Sequence, residues 1–134
     1  MGLGLYGTVS QITKADGTVQ IPVATTAVIY TPIFELHAGW AFGVQAKATV
    51  VSGTPDIKIE LEHCMTAPTY EAADTANAVI PDGFSAVITL TDELVHIKAL
   101  SPVAAKYGRF KLTGQGSNPA TATVAIKVFR QESA

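Results

Sequence analysis

From Lys106 to Gln131 the side chains alternate so regularly that little besides a β-sheet can accommodate them. Phe110 and Leu112 alternate with Arg109, Lys111 and Thr113; further on, Val124, Ile126 and Val128 alternate with Ala125, Lys127 and Phe129. A period of two belongs to an extended strand with two unlike faces, because successive side chains leave the backbone on opposite sides. The connection Gly114-Gln115-Gly116-Ser117-Asn118-Pro119 is built of turn-tolerant residues, and Pro119 has no N–H for a ladder. The expectation is two strands joined by a short loop, the final hairpin of the chain.

The same texture extends upstream. Phe42, Val44, Ala46, Ala48 and Val50 alternate with Gly43, Gln45, Lys47 and Thr49. After the turn Ser52-Gly53-Thr54-Pro55-Asp56 comes the cleanest alternation, with Ile57, Ile59 and Leu61 inward and Lys58, Glu60 and Glu62 outward to solvent. Shorter strands are expected at Thr8–Ile12, Thr18–Val23, Ala27–Tyr30, Phe34–His37, Val87–Leu90 and Leu94–Leu100, separated by turn signals such as Asp16-Gly17, Thr31-Pro32 and Pro81-Asp82-Gly83. Residues 65–77 have little periodicity and form a long loop, with a helical turn expected around Tyr70–Ala76. Eight to ten short strands with almost no helical amphipathicity predict an all-β protein: an antiparallel β-sandwich, jelly-roll-like or immunoglobulin-like. The disulfide signature of immunoglobulin domains needs two cysteines, and the chain has only Cys64. With no repeat and no linker, residues 1–134 are expected to form one domain. Residues 1–13 admit two readings, an N-terminal arm lying on a neighbour or an ordinary edge hairpin.

Charge excludes some functions. Nine basic residues against eleven acidic ones, net −2, leave no electrostatic footprint for direct nucleic-acid binding. Only 15% of residues are charged while 48% are apolar, against about 25% charged in an average soluble domain. Either a well-filled sandwich carries a Thr/Ser/Ala surface, or neighbouring subunits cover much of it, since interfaces lose charge at their centres. No run approaches the ~20 apolar residues of a membrane helix, so no membrane partner is expected. The N-terminus has no signal-peptide pattern, and synthesis in a cytoplasm is expected.

No catalytic constellation is legible, and the chain is expected not to be an enzyme. Gly2-Leu3-Gly4-Leu5-Tyr6-Gly7 lacks the preceding strand and following helix of a phosphate-binding loop. His63 and Cys64 are adjacent in a strand and point to opposite faces, so they do not share a metal; Glu35 and His37 would share a face but lack a third ligand. Cys64 reads as a small buried hydrophobe. Glu60 with Glu62, and Asp92 with Glu93, read as solvated charge rather than as acid–base pairs. Trp40, Tyr30, Tyr70 and Tyr107 do not sit at the spacing of a sugar-stacking platform and are expected in core or interface roles. No catalytic residue, cofactor or metal is expected.

The succession Gly53-Thr54-Pro55-Asp56-Ile57-Lys58-Ile59-Glu60-Leu61-Glu62, Pro81-Asp82-Gly83, Ser101-Pro102, Tyr107-Gly108-Arg109-Phe110-Lys111-Leu112-Thr113-Gly114 and Ser117-Asn118-Pro119-Ala120 resembles small β-sandwich virion proteins of tailed bacteriophages. The likeness spans roughly residues 41–131 and rests on turn signatures and strand texture. It implies a capsid decoration or cement protein on the virion surface, binding the major capsid protein and itself, with a trimer as a natural form. The different-class alternative is a tail- or fibre-associated receptor- or carbohydrate-binding sandwich. For partner contact, irregular segments come first: Leu3, Leu5 and Tyr6 of the N-terminal segment, and Tyr70 of the long loop.

Overall fold

A computed structural model describes residues 7–14, 16–36, 41–80, 87–100, 105–116 and 121–131. The alternation produces ten strands: β1 (Gly7–Ile12), β2 (Ile21–Ala24), β3 (Val28–Tyr30), β4 (Phe34–Glu35), β5 (Ala41–Ser52), β6 (Ile57–Cys64), β7 (Ile88–Leu90), β8 (His96–Leu100), β9 (Tyr107–Gly114) and β10 (Thr121–Gln131). They form two antiparallel sheets. Sheet A has the order β1-β10-β5-β8, with β2 also on β10; sheet B has the order β3-β9-β6-β7, with β4 also on β9. The architecture is an all-β, jelly-roll-like sandwich, as the periodicity predicts.

The two sheets follow one plan. Each has two long central strands, a short strand on one side, and on the other an edge strand broken into two pieces. In sheet A, β1 pairs with β10 from Gly7↔Gln131 to Ile12↔Ile126, and β2 resumes beside β10 at Ile21↔Val124. Between them, residues 13–20 leave the ladder, and Gln11 Nε2 donates to the Ile126 carbonyl at 2.7 Å where the ladder breaks. In sheet B, β3 and β4 lie along β9 in the same manner. Thr31 fills the gap, its N–H donating to the Phe110 carbonyl and its Oγ1 accepting from the Phe110 N–H.

Three expectations are corrected here. The Asp16-Gly17 turn forms, with Asp16 Oδ1 accepting from the Thr18 N–H and hydroxyl, but β1 and β2 do not pair as a hairpin. Residues 7–12 pair with β10 as an edge strand, and residues 1–6 lie outside the described residues. β9 and β10, the expected final hairpin, belong to opposite sheets, so the chain crosses the sandwich between them. The alternation is genuine in both strands; what it cannot encode is which neighbour receives each backbone edge. The helical turn expected at 70–76 is instead one short turn at Asp74–Ala78, closed by the Ala78 N–H donating to the Asp74 carbonyl.

The inward faces make the core. Sheet A contributes Phe42, Val44, Ala46, Ala48, Val124, Ile126 and Val128; sheet B contributes Ile57, Ile59, Leu61, Phe110 and Leu112. Phe34 on the edge of sheet B stacks on Phe42 of sheet A with ring centroids 6.1 Å apart, tying the layers together at one end. Arg130 makes a polar tie there, donating from Nη1 to the Glu35 carbonyl and from Nη2 to Ser10 Oγ. Where the chain passes from sheet A to sheet B, the Thr26 N–H donates to the Gly114 carbonyl and the Gly114 N–H to the Ala27 carbonyl. That approach is so close that a Cβ on residue 114 would be driven into the Ala24 carbonyl.

Candidate docking surface

The sites of interest are the two outward faces, which the same alternation generates and which differ sharply. On sheet A the register sets Val9 beside Phe129, Phe129 beside Gly43, and Gly43 beside Ala99. The next row is Gln11, Lys127, Gln45 and Ile97. Val9, Ile97 and Phe129 are 63%, 71% and 39% exposed. Between them lies a cavity of about 370 Å³, open to solvent and mostly apolar. Gly43 forms its floor: a Cβ built there would meet nothing nearer than Phe129 Cβ, 3.9 Å away. Among the described side chains, the charges on this face are Lys47 and Lys127, with no carboxylate.

On sheet B the outward face is covered. Arg109 on β9 is only 1% exposed. Its Nη1 donates to the Thr69 carbonyl at 2.8 Å and its Nη2 to the Ala72 carbonyl at 2.7 Å. Its Nε lies 3.3 Å from Glu62 Oε1, an ion pair without the alignment of a hydrogen bond, and its guanidinium sits 4.3 Å over the Tyr30 ring. The segment 65–80 is thus held down on the sheet by a planar cation whose donors point along several directions. Asp74 knots that segment, accepting from the N–H and hydroxyl of Thr69 and from the N–H and Nδ2 of Asn77. Those hydrogen bonds, the Asn77 side chain foremost, hold its pKa down at about 2.

This cover corrects one reading: Glu60 and Glu62 are not solvated but 7% and 6% exposed. Glu60 pairs with Lys58 at 3.5 Å and Glu62 with Arg109. Each has a cationic partner, and Glu62, which borders a cavity, is held by Arg109. A second cavity of about 390 Å³ lies between Tyr30, Glu62, Lys111 and the 73–80 segment. Its two carboxylates, Glu62 and Asp74, are already engaged.

The remaining titratable groups are dispersed. His63 and Cys64 are both buried, on alternate faces of β6; burial pushes the His63 pKa down and the Cys64 thiol up. His96 Nε2 meets Asp92 Oδ1 at 2.8 Å, which lowers the Asp92 pKa, while Glu93 Oε1 accepts from the Val50 N–H on the edge of β5. Among the described residues no group of three metal-ligating side chains converges. Of the residues expected to contact a partner, Tyr70 is exposed on the segment that covers sheet B, away from the sheet A trough. Leu3, Leu5 and Tyr6 lie outside the described residues, as do His37 and Trp40. Tyr30 is taken up under Arg109, and Tyr107 lies under Lys106 Nζ at 5.2 Å, so these two rings do not share a platform. Sequence reasoning missed the trough. Gly43 and Phe129 both fall on the outward half of their alternations, but only strand pairing makes them neighbours.

The fold defines the class, an antiparallel jelly-roll-like β-sandwich. It is similar to the CBM22-1 xylan-binding domain of Paenibacillus barcinonensis Xyn10C, with a TM-score of 0.50 and 12% identity over 98% of this chain and 99% of that one. More loosely similar are the CBM36-1 domain of a multidomain xylanase from the hindgut metagenome of Trinervitermes trinervoides (TM-score 0.43, 9% identity, 92% and 96% covered) and the decameric BFDV capsid protein (TM-score 0.33, 12% identity, 96% and 95% covered). At these identities the likeness is one of fold alone. No protein-family model and no curated protein matches the sequence.

Proposed function

We propose that this chain is a non-catalytic structural protein of a phage virion, a decoration or cement subunit made in the host cytoplasm that docks on the major capsid protein. The observation that carries the reading is the asymmetry of the two outward faces. One is closed by its own chain, while the other offers an exposed apolar trough on a rigid sheet with almost no charge. Depletion of charge around an apolar centre is the composition of a protein interface. Reinforcement would come from area: a standard contact buries on the order of 1,600 Å², and repetition over a shell multiplies modest contacts into avidity. The trimer that the phage resemblance implies would use other surfaces, leaving the trough for the shell.

Co-sedimentation with empty capsids tests this. The reading expects saturable binding at a fixed ratio to the major capsid protein, and a raised temperature of capsid disruption. A protein that stays in the supernatant at all concentrations contradicts it. The carbohydrate-binding alternative draws on the same trough, where the Phe129 ring lies near Gln45 and Lys127. Titration with xylan oligosaccharides distinguishes it.

A further inference from the structure

We infer that the trough on sheet A is a socket for one apolar side chain carried on an acidic, extended segment of a partner protein, and that Gly43 keeps the socket open. The inference rests on the docking role proposed above and names the chemistry of the occupant.

Glycine in the middle of a strand loses more conformational freedom on folding than other residues and contributes no packing, at a cost of about 0.5–1 kcal/mol relative to alanine. Two structural demands usually account for it, a positive φ or a crowded backbone. Gly114 has the second, and Gly17, Gly53 and Gly116 have the first. Gly43 has neither: it is not among the positive-φ glycines, and a Cβ there would make only ordinary contact at 3.9 Å. A mid-strand glycine with open space above it is a place where another molecule comes close to the backbone. Here the space is walled by Val9, Phe129, Ile97 and Ala99, so an apolar group fits it.

Charge selects the bearer of that group. Lys127 borders the trough and Lys47 follows on the same face, and neither is in an ion pair among the described residues. The nearest edge carboxylates are turned to other work, Glu93 on the Val50 N–H and Asp92 on His96. Face-to-face pairing of two copies would set these lysines against each other with no carboxylate between them. An acidic partner segment instead meets both. Lys98, on the inward side of β8, charges the free edge of the sheet and turns strand addition away, leaving the face as the docking surface.

The experiment compares wild type, Gly43→Val and Lys47→Glu/Lys127→Glu by co-sedimentation with empty capsids. In parallel, fluorescence polarisation follows a short extended peptide with a central leucine flanked by aspartates, and its lysine-flanked counterpart. The expected result is that wild type binds the acidic peptide and not the basic one, more weakly as salt rises. Gly43→Val loses roughly tenfold or more in affinity with an unchanged or higher melting temperature, and the double lysine variant loses binding independently of the glycine. If capsids are bound equally by all three proteins, the docking role stands and the socket is overturned. If capsids are ignored but the acidic peptide binds in a Gly43-dependent way, the socket stands and the capsid reading falls. Preference for the basic peptide, binding of xylan oligosaccharides in the trough, or dimerisation abolished by Gly43→Val each overturns the inference.

Discussion

The outward faces of sheets A and B arise from the same alternating pattern, yet one is a finished piece of structure and the other is unfinished. On sheet B the charges are numerous but satisfied, with Arg109 bound to Thr69, Ala72, Glu62 and Tyr30. On sheet A the charges are few and the apolar groups stand in solvent. Buried charge here holds the fold together, and the proposed docking role falls to the exposed apolar groups.

Substitutions can break this comparison, and the largest effect is expected at Arg109. Arg109→Ala leaves Glu62 buried without its partner and frees the Thr69 and Ala72 carbonyls, a loss of about 3–5 kcal/mol by analogy with other broken buried pairs. Lys127→Ala on the opposite face should stay within about 0.5 kcal/mol. Denaturant titration measures both; comparable losses would erase the distinction between the faces.

Two of the strand glycines, Gly114 and Gly43, give the next contrast. Gly114→Ala forces a Cβ against the Ala24 carbonyl at the crossover between sheets and should cost on the order of 1–3 kcal/mol or more. Gly43→Ala meets no obstacle and should gain about 0.5–1 kcal/mol. A destabilised Gly43→Ala would mean that the glycine serves the fold.

Acid should act on sheet B's cover and spare sheet A. The Asp74 pKa is lowered in the fold from 3.8 to about 2, so its stabilisation is present in full above the unfolded value and is lost as pH falls through the folded one. As pH falls through about 2, the amide proton shifts of Thr69 and Asn77 should move together, and Asp74→Asn should abolish that titration. The amide shifts of Phe129 and Ile97 should follow neither change.

Much of the fold was legible because period-two alternation is written residue by residue. β5, β6, β9 and β10 fall where Phe42–Val50, Ile57–Glu62, Phe110–Thr113 and Val124–Phe129 alternate. Pairing was not legible, since it is settled between segments far apart; hence β9 and β10 look like a hairpin and lie in different sheets. The cover on sheet B was hidden for a related reason. Glu60 and Glu62 have the pattern of a solvent face, and it takes Arg109, far along the chain, and the His63–Val79 backbone bridge to hold the 65–80 segment on that sheet. The trough likewise needs Val9, Gly43, Ile97 and Phe129 from four strands, none of which is unusual alone.

Hydroxyl-radical footprinting of the protein bound to empty capsids, against the free protein, tests the central claim most directly, because it reads side chains on both faces at once. The account predicts protection of Val9, Ile97 and Phe129 on sheet A, with Met65 and Tyr70 on the covering segment as reactive as in solution. Protection confined to Met65 and Tyr70, with Phe129 and Ile97 still open to the radical, would contradict it and move the docking surface to sheet B.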